Sequence, residues 1–115
     1  MITMYGIPNC DKVKKAKIWL EKRNAEYNLY NYKTEGCDER LAKKLLSHFS
    51  YKDLINKRGT TWRKLPENIR SNMNEIAAIE LMQSQPSIIV RPIFQIDGKW
   101  IIGFNEATFF KNVLQ

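Results

Sequence analysis

The first 32 residues switch between two periodicities in a way that leaves few topologies open. Residues 2–5 are a short β-prone run stopped by Gly6 and Pro8. Asn9 is a good helix cap. Val13, Ala16 and Leu20 then recur at helical spacing, with Trp19 beside them and the lysines on the other face. Asn24 supplies a stop, and residues 26–32 alternate loosely around aromatics and Leu29 as a second strand. Strand, helix and strand in so short a span predict a right-handed βαβ unit with parallel strands.

The middle of the chain changes character. After Thr34-Glu35-Gly36, the residues Leu41, Leu45, His48 and Phe49 mark an amphipathic helix. A short apolar element around Leu54 and Ile55 precedes the polar loop 56–61. Pro66 suits the first turn of another helix, and Ile76, Ile79 and Met82 mark one more, ended by Gln85-Pro86. The last third returns to strands. Residues 93–96 and 100–102 flank Asp97-Gly98, a strong hairpin signal, and Asn105 can cap a final helix. That helix would place Ala107, Phe110 and Leu114 on one face, widened by Phe109 and Val113. The order β-α-β, helices, β-β-α is an α/β plan of the thioredoxin-like type, with a mixed four-stranded sheet and a helical insertion at about 38–85.

A chain of 115 residues fits one domain, here 1–115, with 43% hydrophobic and 27% charged residues, as in ordinary globular proteins. No stretch approaches the roughly 20 apolar residues of a membrane span, and the first residues lack a secretory pattern. The two cysteines, Cys10 and Cys37, have unlike contexts and read as free thiols of a reducing compartment, so the cytoplasm is the expected location. The formal net charge of +7 admits an acidic partner. Its lysines and arginines are scattered among acids with no nucleic-acid reader motif, so nucleic acid is the minority reading.

Cys10 stands out by position. A sulfur at a helix start lies near unpaired backbone N–H groups and the positive end of the helix dipole, with Lys12 and Lys14 adding positive potential. Such surroundings favour the thiolate, the form that attacks disulfides, and the same N–H cradle at Asn9 and Lys12 binds oxyanions. The alternative is a small buried hydrophobe, as many free cysteines are. Val13 rules out a Cys-x-x-C pair, so turnover needs a second thiol from elsewhere. Cys37 follows Gly36 in an expected surface loop, with no promise of the short separation a disulfide needs. His48 falls on the apolar spacing of its helix, and Trp62 reads as a core anchor of the insertion. There is no metal-ligand cluster and no glycine-rich phosphate loop.

Three separated motifs carry a family likeness. Residues 5–11 (Tyr-Gly-Ile-Pro-Asn-Cys-Asp), 57–65 (Lys-Arg-Gly-Thr-Thr-Trp-Arg-Lys-Leu) and 90–93 (Val-Arg-Pro-Ile) together resemble the arsenate-reductase-like ArsC family, and within it the Spx/YffB branch most. The resemblance implies a thioredoxin-like fold with a helical insert and assigns Cys10 as the catalytic thiol. It further implies that Arg91 faces that thiol, that Pro92 is a cis-proline, and that Arg91 and Arg58 hold the anionic end of a substrate. Where arsenate reductases carry a further arginine after the hairpin, this chain reads Ile102-Gly103-Phe104-Asn105, and Asn56 falls at or near the place of the insert-loop arginine. The oxyanion triad is therefore incomplete.

The expected activity is that of a glutathione-dependent thiol-disulfide reductase using Cys10 alone. Glutathione would be a co-substrate or a small oxidised thiol the substrate, with no tightly bound cofactor. The alternatives implied by the same likeness are an Spx-like interaction protein that binds RNA polymerase, or a weak arsenate reductase.

Overall fold

The first strand, β1 (Ile2–Gly6), sends Ile2 and Met4 to one face and Thr3 and Tyr5 to the other, as the two-residue period of a strand requires. The helix that follows, α1 (Asp11–Lys22), buries Val13, Ala16, Trp19 and Leu20. It leaves Lys12, Lys14 and Lys15 exposed. Asn24 takes the left-handed conformation (φ 54°). Asn24 N–H donates to the Glu21 carbonyl at 3.1 Å and Ala25 N–H to the Leu20 carbonyl at 3.0 Å, the paired bonds that end a helix once one residue turns left-handed. The chain then enters β2 (Tyr27–Asn31), parallel to β1 with Ile2 opposite Tyr27.

Two later strands complete the sheet. In the computed structural model, which describes residues 1–107 and 109, β3 (Ile93–Ile96) runs antiparallel to β1 and β4 (Lys99–Ile102) antiparallel to β3. The strand order is β2-β1-β3-β4. Asp97 (φ 47°) and Gly98 (φ 87°) both have positive φ, the two-residue turn whose twist matches an antiparallel pair. This mixed four-stranded sheet with its helices is the thioredoxin-like fold. The core lies between α1 and the sheet face carrying Ile2, Met4, Phe94 and Ile96, filled by Phe109. Phe109 has ring centroids 4.3 Å from Phe94 and 5.0 Å from Trp19. Each such fully buried side chain contributes about 1.5–3 kcal/mol.

Glu106 and Ala107 are helical, and Phe109 N–H donates to the Asn105 carbonyl at 2.8 Å, so the final helix starts where Asn105 was expected to cap it. Phe109 is buried as an apolar residue of this helix, but Ala107, expected on its apolar face, is exposed, because the packing demand here is for one large ring beside Trp19 and Phe94. Phe110, Val113 and Leu114 lie outside the described residues.

The chain divides into two compact units, residues 1–32 with 91–115, and residues 33–90. The second consists of short helices. After α2 (Tyr32–Glu35) come α3 (Glu39–His48), α4 (Tyr51–Leu54), α5 (Thr60–Arg63), α6 (Glu67–Ser71) and α7 (Glu75–Ser84), then a 3-10 turn at Pro86–Ile88. Asp38 caps α3 by accepting from Leu41 N–H, and Asn74 caps α7 by accepting from Ala77 N–H, each at 2.8 Å. α3 packs against α7. An antiparallel bridge between Ile55 and Ile89 fastens residues 54–56 to 88–90.

Four local expectations are corrected in this unit. Part of the expected polar loop 56–61 is helical, because burial of Trp62 draws Thr60–Arg63 into a turn capped by Gly59. Pro66 precedes α6 rather than lying in its first turn, its carbonyl taking the N–H groups of Ile69 and Arg70. Ile76 is 73% exposed, and α7 buries Ala78 and Leu81 beside the expected Met82. Cys37, expected on a surface loop, is 4% exposed. It occupies the position just before the Asp38 cap, where an apolar side chain folds back over the first helical turn.

Candidate active site

Cys10 sits where β1 has ended and α1 has not begun. It is Cys10, not Asn9, that caps the helix. Its backbone is extended (φ −117°, ψ 131°), and its carbonyl accepts the first helical bond from Lys14 N–H at 2.9 Å. Asn9 lies one residue too early, exposed in the preceding turn. The shift matters chemically, because a cap side chain looks onto the free N–H groups of the second and third helical residues. Here these belong to Lys12 and Val13.

The thiol forms no full capping hydrogen bond, yet it lies close enough to those amides for both to favour its anion. Burial pushes the Cys10 thiol up. Against that, the Val13 N–H, the Arg91 guanidinium donating to the sulfur, the Lys12 N–H and the positive charge of Arg91 hold it below the ordinary cysteine value. The cation that acts on the sulfur is therefore Arg91. Lys12 acts through its backbone, with its side chain exposed, which corrects the expectation that Lys12 and Lys14 side chains supply the field. Cys10 is neither sealed in the core nor fully exposed. It is half-buried and packs against the cluster around Val13, Phe94 and Phe109.

Arg91 arrives from the opposite direction. The antiparallel pairing of β1 and β3 sets Tyr5 opposite Ile93, so the exit of β1 toward Cys10 lies beside the entry of β3, two residues after Arg91. The Arg91–Pro92 peptide is cis, and Pro92 is fully buried. The Pro92 carbonyl accepts from Gly103 N–H at 2.8 Å, which ties the end of β4 to the same corner. Gly103 has φ +80°, a conformation that L side chains resist. A second glycine is steric. A Cβ on Gly6 would stand 2.8 Å from Val13 Cγ2, so Gly6 lets the first turn of α1 close onto the strand end.

Of the residues singled out in the sequence, the structure thus brings together Cys10, Arg91, Pro92 and the Lys12 amide. Arg58 belongs to the second unit. There it is exposed, its N–H donating to Asn56 Oδ1 at 3.1 Å and its carbonyl accepting from the Arg63 guanidinium at 2.5 Å. Burial, and then the charge of Asp38, pushes the Cys37 thiol up to about 11, so it is a poor nucleophile in the folded chain. His48 is exposed. Among the described residues no cluster of His, Cys, Asp or Glu has the makings of a metal site, and no helix is long and apolar enough to cross a membrane. Sequence reasoning missed the part played by Val13, whose contribution is a backbone N–H and leaves no side-chain signal. It also missed the cleft of about 290 Å³ between Lys12, residues 101–105 and Phe109.

The chain is similar to known proteins along nearly its whole length. The solved structure of a protein named YffB superposes with a TM-score of 0.93 at 34% identity, covering 98% of this chain and 99% of that one. An arsenate reductase (ArsC) related protein from Brucella melitensis is 44% identical with a TM-score of 0.80, over 96% of this chain and 92% of its own. The global transcriptional regulator Spx of Streptococcus pneumoniae is 34% identical over 110 residues, 92% of this chain and 80% of that protein. The model of the ArsC family matches residues 5–112, and with a helix-capping cysteine faced by an arginine beside a cis-proline, the chain belongs to the ArsC family.

Proposed function

We propose that the chain is a thiol oxidoreductase that reduces disulfides through Cys10 and is regenerated by glutathione. The observation that carries this reading is the convergence on one half-buried sulfur of two helix-start amides and a guanidinium. The Cys10 thiolate attacks one sulfur of a substrate disulfide. A Cys10–S–S–R bond forms, the substrate S–S bond breaks, and the other half departs as a thiolate. The glutathione thiolate then attacks the substrate sulfur of the mixed disulfide, freeing Cys10 as a thiolate and leaving R joined to glutathione; a second glutathione releases R as a thiol and forms oxidised glutathione. Arg91 serves both steps by stabilising sulfur anions and by offering a planar donor fork to a substrate carboxylate. No second protein thiol enters, consistent with Val13 in place of a neighbouring cysteine and with the burial of Cys37. Arsenate is disfavoured, because the segment after β4 carries Phe104 and Asn105 rather than a further guanidinium. Chemistry of this kind belongs in a reducing compartment, so we place the protein in the cytoplasm.

The test is the pH profile of Cys10 alkylation, with mass spectrometry after incubation with oxidised glutathione. A midpoint below that of free cysteine and a single glutathione adduct on Cys10 are expected, both lost in Cys10→Ser and kept in Cys37→Ser. A midpoint at the free-cysteine value with no adduct defeats the proposal.

The likeness to Spx favours one other reading, an interaction protein that docks on RNA polymerase. Capture of the polymerase α-subunit by the immobilised chain, together with a Cys10 of ordinary reactivity, would favour it over the enzyme.

A further inference from the structure

The disulfide-exchange reading leaves open which disulfides the site selects, and the cleft beside Lys12 bears on that. Lys12 borders both places: its backbone N–H faces the Cys10 sulfur while the residue lines the cleft. Cys10 also packs against the same apolar cluster as Ile101 and Phe104, which form cleft wall. Cys10 itself is not in the cleft wall, but Lys12, two residues on at the same helix start, links the two.

The walls are mixed, with somewhat more carbon than polar surface. Ile101, Ile102, Phe104 and Phe109 line it together with Gly103 and Asn105. The Phe104 ring centroid stands 5.5 Å from Phe109 and 6.5 Å from Trp19, both edge-on, so the ring is braced from behind. The Gly103 N–H bond to the Pro92 carbonyl fixes the same segment to the corner that carries Arg91. Lys12 is the one charged residue among those described in the lining. At about 290 Å³ the cleft falls just short of the usual range of small-molecule sites, roughly 300–1,000 Å³. That is room for a ring-sized group rather than a whole cofactor. A small oxyanion would leave the apolar part of the walls wet.

We propose that this cleft is the substituent pocket of the Cys10 site, taking an aromatic group attached to the sulfur under attack, with an acidic group on that ring held at Lys12. The preferred substrate class is then an anionic aryl disulfide. The proposal rests on the reading of Cys10 as an attacking thiolate. In the exchange, the aryl-bearing sulfur becomes bonded to Cys10, the aryl group enters the cleft, and the other half leaves as a thiolate.

The test compares three disulfides under single-turnover conditions, at a pH where Cys10 is fully ionised. These are dithiobis(nitrobenzoate), an aryl disulfide with carboxylates; dithiodipyridine, aryl and neutral; and bis(hydroxyethyl) disulfide, compact and uncharged. Phe104→Ala is expected to lower the rate ratio of dithiobis(nitrobenzoate) to bis(hydroxyethyl) disulfide by roughly tenfold, the effect of losing one good apolar contact. Lys12→Gln, an exposed change that does not depend on refolding the core, is expected to lower the ratio of dithiobis(nitrobenzoate) to dithiodipyridine by roughly threefold to tenfold. Ratios unmoved in both variants, with Cys10 still fast toward the compact disulfide, overturn the pocket and leave the thiol chemistry standing. Cys10 no faster than free cysteine toward all three overturns the underlying reading and the pocket with it.

Discussion

Arg91 acts on the Cys10 sulfur twice, as a hydrogen-bond donor and as a nearby positive charge. Removing the guanidinium removes both effects and leaves the two amides against the cost of burial. In Arg91→Met the midpoint of the Cys10 alkylation profile is expected to move up. The neutral-pH rate should fall by roughly threefold to tenfold, on the scale where one pKa unit is a factor of ten. Arg91→Lys restores the charge but not the planar fork, and is expected to recover part of that loss. An unchanged profile in Arg91→Met would show that the helix start alone activates the thiol. At this scale Cys10 was legible from its place after a strand and before a helix. The one-residue shift of the cap from Asn9 was not, because Asn and Cys differ in propensity while the backbone geometry of β1 and α1 decides which residue turns. The burial of Cys37 was also hidden, since a short apolar side chain after a glycine reads like loop until the helix behind it is placed.

At the scale of elements, the contact between β1 and α1 sets where the sulfur stands. Gly6 and Val13 meet at that contact, with no room for a methyl group between them. Gly6→Ala is expected to destabilise the protein by about 1–3 kcal/mol, the usual cost of overpacking a tight contact, and to shift the Cys10 alkylation midpoint as the first turn of α1 is pushed off the strand. Adding Val13→Ala should return most of the alkylation profile while bringing its own cavity cost. Thermal unfolding and alkylation of the single and double variants check this, and purely additive effects would deny the coupling. The strands, the hairpin at Asp97-Gly98 and the stop at Asn24 were all readable, because each rests on local chemistry: period-two alternation, paired positive φ, and a left-handed cap. The short helices α4, α5 and α6 were blurred. Four or five residues give too little periodicity to read, and burial of Trp62 and Leu65 shapes that stretch through tertiary contacts.

For the molecule as a whole, the two thiols bend the pH dependence of stability in opposite senses. Cys37 keeps its proton in the folded chain up to about pH 11, whereas an unfolded cysteine releases it near pH ~8.5. Its contribution is complete below the unfolded value and is lost as pH rises through the folded one. Cys10, held below the ordinary value, contributes above the unfolded pKa and loses that contribution as pH falls through its folded pKa. Denaturant titrations from neutral to alkaline pH should therefore show Cys37→Ala losing less stability than the parent between those two pKa values, and a slope identical to the parent would contradict the burial of that thiol. The direct pairing of β1 with β3 has a further consequence. The partnership of Cys10 with Arg91 is written in the ladder between two adjacent strands, so it is indifferent to how many residues the chain spends between positions 32 and 91.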